Sequence, residues 1–104
     1  MSKIEELYNK LLIQTKQKKI NWEKTSAGGF LYALHTGSVK LERDAIMKTY
    51  ALKLYDNDGV FLSGVNGLHN AIWNEKLDKL YEAINNIEQE RINKKIDDFL
   101  SELE

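Results

Sequence analysis

"YALKLYDNDGVFLSG", residues 50–64, decides how the chain reads. Apolar and polar side chains alternate on both sides of "DNDG", the period of two that marks strands half-buried in a sheet. A calcium loop of the EF-hand kind needs oxygen ligands at alternate positions, a glycine at the sixth and a bidentate acid at the twelfth. With Gly59 as the sixth residue, the first is Leu54 and the twelfth is Val65, and neither offers a carboxylate. As a turn the segment is well specified. Asp56 opens a type I turn through Asn57 and Asp58, and Gly59 takes the left-handed position that ends it as a G1 bulge. That loop predicts that Asp56 opposes Val60, Tyr55 opposes Phe61 and Leu54 opposes Leu62.

Outward from this hairpin the same alternation recurs in "INWEK" (20–24), "GFLYALHT" (29–36), "SVKLER" (38–43), "TYALKLYD" (49–56) and "VFLSG" (60–64). Five antiparallel strands in a meander are expected. "SAGG" (26–29) makes the first connection as a turn, since no helix follows it as a phosphate loop requires. Gly37 in "TGSV" suits the first position of a two-residue hairpin loop, pairing Thr36 with Val39 and Leu34 with Leu41. "DAIMK" (44–48) is a longer connection, and Ile46 and Met47 have no assigned place in it.

Helical periods flank the strands. In "SKIEELYNKLLIQTKQKK" (2–19), Ile4, Leu7, Leu11 and Leu12 form one stripe, Ser2 is the expected N-cap, and Glu5 completes a capping box. Lys16, Lys18 and Lys19 sit where cations oppose the negative end of the helix dipole. Later, Trp73, Leu77, Leu80, Ile84 and Ile87 follow steps of four and three, with Asn70 or Asn66 as the cap. The stripe then slips. Ile96, Phe99, Leu100 and Leu103 define a new face, which predicts a break near Arg91–Asn93 and a separate short terminal helix. The fold class is therefore α+β: an N-terminal helix, a five-stranded antiparallel meander, a long helix and a short one.

The predicted register sorts the sheet into two faces. One collects Ile20, Trp22, Phe30, Tyr32, Leu34, Val39, Leu41, Tyr50, Leu52, Leu54, Val60 and Leu62, and should lie under the helices. The other holds Asn21, Glu23, Leu31, Ala33, His35, Lys40, Glu42, Ala51, Lys53, Tyr55, Phe61 and Ser63. On it Tyr55 and Phe61 form a cross-strand aromatic pair beside Ala51. Two aromatics left in water forfeit a few kcal/mol, so something should cover them. Two coverings are open: the last helix with Phe99, Leu100 and Leu103, or a partner. The candidate binding surface for a partner or ligand is Tyr55, Phe61, Ala51, Lys53, Leu31 and His35.

A length of 104 residues fits a single domain spanning 1–104, with ordinary hydrophobic (42%) and charged (30%) fractions for a chain that must fold on one core. Cysteine is absent, which excludes disulfides and thiolate chemistry and points to a reducing, cytoplasmic home. No apolar run reads as an export signal or a membrane span. Net charge is −1, split between a basic first half (nine Lys/Arg, five Asp/Glu) and an acidic second half (six against eleven). His35 and His69 belong to no metal set, and Ser38 and Ser63 lack the setting of a nucleophile. Asp97 and Asp98 belong to the solvated side of a terminal helix. No catalytic residue, metal site or cofactor is expected, and the chain reads as a non-enzyme.

"LLIQTKQKKINWE", "GFLYALHTGSVKLER", "YALKLYDNDGVFLSG" and "LDKLYEAINNIEQER" together resemble small bacterial proteins without an assigned activity, many carried by phage or other mobile elements. The resemblance rests on core and turn residues and implies an accessory protein that modulates a host factor. The expected function is an interaction or regulatory module whose partner is another protein chain, self or host. One alternative is a protein that sequesters a small, nucleotide-like ligand. Another is a single-strand nucleic-acid binder using Lys24, Lys40 and Lys53, which the acidic overall balance opposes.

Overall fold

The computed structural model describes residues 2–104. The elements are α1 (Lys3–Lys16), β1 (Glu23–Lys24), β2 (Phe30–Leu34), β3 (Gly37–Asp44), β4 (Thr49–Asp56), β5 (Phe61–Asn66) and α2 (Ala71–Glu102). The strands pair antiparallel in chain order, so the α+β class and the meander are as expected. Both helices pack on one face. Tyr8 and Leu11 from α1 and Leu77, Leu80 and Ile84 from α2 share a core with Ile20, Phe30, Val39, Leu41, Tyr50 and Leu52.

Local chemistry sets the ends. The Ser2 side chain accepts the Glu5 N–H at 3.2 Å and caps α1, and the Asn70 side chain accepts the Trp73 N–H at 3.2 Å and caps α2. At the far end of α1, Lys18 enters the left-handed region (φ 60°), and Lys18 and Lys19 return their N–H groups to Thr15 and Gln14.

The "DNDG" turn forms as read. Gly59 has φ +82°, the Asp56 N–H donates to the Val60 carbonyl at 2.9 Å, and Tyr55 opposes Phe61. The Asp56 carboxylate accepts the N–H groups of Asp58 and Val60, each at 2.9 Å, so its charge holds the turn.

Three expectations need correction. First, Leu54 faces Ser63 rather than Leu62, because β5 carries one extra residue between its pairings with Leu54 and Tyr55. Leu62 is 61% exposed and Val60 57%, so neither joins the covered face. Beyond the bulge Val65 comes opposite Leu52 and packs against the core, and Ser63, opposite Leu54, moves to the helix side. Second, the β2–β3 hairpin turns through His35 and Thr36, pairing Leu34 with Gly37 and Phe30 with Leu41. That register differs from the expected one by an even step and keeps every face assignment. It lines up Phe30, Leu41, Leu52 and Val65 as a continuous row beneath α2. Third, no break occurs at Arg91–Asn93: α2 is one helix of 32 residues. It contains no Gly or Pro, and a slipped stripe alone does not interrupt backbone hydrogen bonding. The short terminal helix is the last part of α2.

The "DAIMK" segment is a tight loop. Asp44 accepts the N–H groups of Ile46 and Met47 at 3.0 and 3.1 Å, and Lys48 closes the loop with φ 54°. Ile46 projects from it, 91% exposed.

Candidate interaction surface

With both helices on one side, no element among the described residues forms a layer over the second face of the sheet. Cross-strand rows share a face, so the pairings place Ala33, Ser38, Tyr55 and Phe61 in one row, Glu23, Leu31, Lys40, Lys53 and Gly64 in the next, and Glu42, Ala51 and Asn66 in a third. The Tyr55 and Phe61 rings meet edge to face with centroids 5.9 Å apart, and Phe61 is 54% exposed. Phe99 and Leu100 do not cover them, being themselves 55% and 57% exposed.

The bulge in β5 keeps this arrangement. Phe61 and Val65 are four residues apart, so regular alternation would place them on the same face. One inserted residue lets Phe61 remain outward beside Tyr55 while Val65 turns inward onto Leu52. The chain thereby exposes Leu62 and preserves an outward aromatic pair.

Charge on the face is internally matched. Lys40 and Lys53 are direct cross-strand partners, and Glu42 lies between them, 2.6 Å from the Lys53 ammonium and 3.8 Å from that of Lys40. The hydrogen bond to Glu42 raises the Lys53 pKa above its ordinary value. At the β3–β4 loop the face deepens into a groove of about 580 Å³ whose lining includes Glu42, Met47, Ala51, Lys53, Asn66 and Leu68.

Of the six residues expected at the surface, Tyr55, Phe61, Ala51, Lys53 and Leu31 share this face. His35 does not lie in a strand: it is exposed in the β2–β3 loop, beyond the last pair of the ladder. Gly64 and Asn66 belong to the face and were not anticipated, because the bulge that brings them there has no signature in local alternation. Among the described residues no cluster of three or more His, Asp or Glu could hold a metal ion, and no helix is long and apolar enough to cross a membrane. No family model, curated protein or solved structure matches the chain.

Proposed function

We propose that the protein is a non-enzymatic interaction module that docks another protein chain on the open sheet face, acting as an accessory factor that modulates its partner. The outward Tyr55–Phe61 pair, maintained by a bulge at the expense of burying Leu62, carries this reading. The exposed Phe61 and the half-buried Tyr55 stand beside small and charged residues, the composition of an interface centre, with Ala33, Ser38 and Gly64 leaving room for a partner to approach. Glu42 bridges the two lysines beside it and Glu23 shares their row, so the face carries no net positive charge from these four residues, which favours a protein surface over a phosphate backbone.

Replacing Tyr55 and Phe61 together with Ser should leave a folded chain, with its thermal transition within a few degrees of the parent. Capture of its partner should weaken about tenfold or more. Loss of folding in the double variant would instead make the pair part of the structural core. The groove beside Ala51 and Lys53 supports a second reading, a small nucleotide-like ligand, because its volume suits one. A melting temperature that climbs with nucleotide concentration would favour that reading, and one that responds only to a macromolecule would favour the first.

A further inference from the structure

The last three turns of α2 leave the body of the protein. The last ion pair tying α2 to the body joins Lys18 to Glu90 at 3.0 Å, and residues 91–104 are all exposed. Ile92, Ile96, Phe99 and Leu103 follow steps of four, three and four, the seam of a coiled coil, with Leu100 beside it. At 100° per residue this seam is turned by about 110° from the stripe of Trp73, Leu77, Leu80, Ile84 and Ile87 that packs on the body. It cannot be a continuation of that contact. A lone helical extension of this length gains nothing from tertiary packing and is marginal by itself in water.

We infer that a second copy of this chain covers the seam, with the two α2 extensions packed antiparallel in a two-fold dimer. Antiparallel pairing sets Ile92 against Leu103 of the partner subunit and Ile96 against Phe99 of the partner subunit, so every seam residue has an apolar counterpart. Lys95 and Glu102 each precede a seam residue, and this register brings Lys95 beside Glu102 of the partner subunit, twice by symmetry. Neither side chain has an ion pair within its own chain among the described residues. Parallel pairing would set Lys95 against Leu100 of the partner subunit and would match no charges.

In this register the C-terminal end of each α2 lies level with the point where the other α2 departs from its body. There a groove of about 430 Å³ opens, lined in part by Trp22, Lys24, Ile87, Glu88 and Arg91. The register places Glu104 of the partner subunit level with Arg91. The five apolar side chains of both copies together offer on the order of 1,000 Å², the lower limit of a specific interface and the size of weak, reversible ones.

Sedimentation equilibrium of the full chain from low to high micromolar concentration should show a monomer passing to a dimer. Ile96→Glu with Phe99→Glu should abolish the dimer and leave the melting temperature of the body unchanged, since neither side chain packs on it. Lys95→Glu alone and Glu102→Lys alone should each raise the dimer dissociation constant about tenfold, and the two combined should restore it. A monomer at every concentration would overturn the inference, as would a dimer that survives the seam variant. A combined charge reversal that fails to restore pairing would overturn the antiparallel register. A dimer abolished by Tyr55→Ser and Phe61→Ser, with the seam variant still dimeric, would place the second copy on the sheet face instead.

Discussion

Asn74→Ala is expected to destabilise the fold by about 2–3 kcal/mol, because one side chain bonds two backbone groups at the start of β4, one of them in a buried residue. The Asn74 amide oxygen accepts the Tyr50 N–H at 2.9 Å, and its nitrogen donates to the Lys48 carbonyl at 3.2 Å. Tyr50 is buried, so alanine leaves its N–H without a partner as well as removing a hydrogen bond. Gly67 adds to the clasp. Its N–H donates to the Tyr50 carbonyl at 2.8 Å, and a Cβ there would stand 2.3 Å from the Asn74 amide oxygen. The glycine is therefore what lets α2 approach the end of β4 closely enough for Asn74 to bond. Urea denaturation of the variant measures the loss, and amide exchange at Tyr50 should accelerate more than at residues of the α1 contact. A loss below about 0.5 kcal/mol would mean that water satisfies the Tyr50 N–H.

Two parts of the architecture were legible in the residues for physical reasons. Gly59 fixes its own turn, because the left-handed conformation at +82° is one that glycine adopts without strain, and the turn length then sets Tyr55 against Phe61. Alternation sorts the faces correctly wherever pairing shifts by an even number, which is why the sliding of β2 along β3 moved no side chain through the sheet. The bulge is not legible in the residues because its cause is remote. Local alternation in "FLSGV" offers Leu62 or Val65 to the core equally well, and the choice falls to contact with Leu52 under α2. The same holds for the end of α2. A slip of the apolar stripe marks a change of surroundings for a helix, and its backbone runs on without Gly or Pro to stop it. Of the candidate site, the aromatic pair was readable because it lies on the turn side of the bulge. Gly64 and Asn66, on the far side, were not.

Tyr50 also makes the fold sensitive to alkali. Its hydroxyl donates to Asp78 at 2.5 Å, while Arg43 sits beside it as its cross-strand partner. Burial, followed by the hydrogen bond and the negative charge of Asp78, pushes the Tyr50 pKa up from 10.0 to about 12. Unfolding returns the phenol to its ordinary value. Between pH 10 and 12 the unfolded chain has therefore lost this proton while the folded chain still holds it, and stability falls as pH rises. Its contribution is fully present below pH 10. A displacement of about two pH units corresponds to about 2–3 kcal/mol, lost by pH 12. Burial shifts Tyr8 the same way, with its hydroxyl donating to the Lys76 carbonyl at 2.6 Å, so the two effects reinforce each other. Tyr50→Phe should lose about 1 kcal/mol at pH 7 with the missing hydrogen bond, yet fall less steeply above pH 10. Urea unfolding curves of both proteins from pH 8 to 12 should converge, the phenylalanine variant becoming the more stable at the alkaline end. Parallel curves across that range would show that the Tyr50 proton is held no more tightly in the fold than in water.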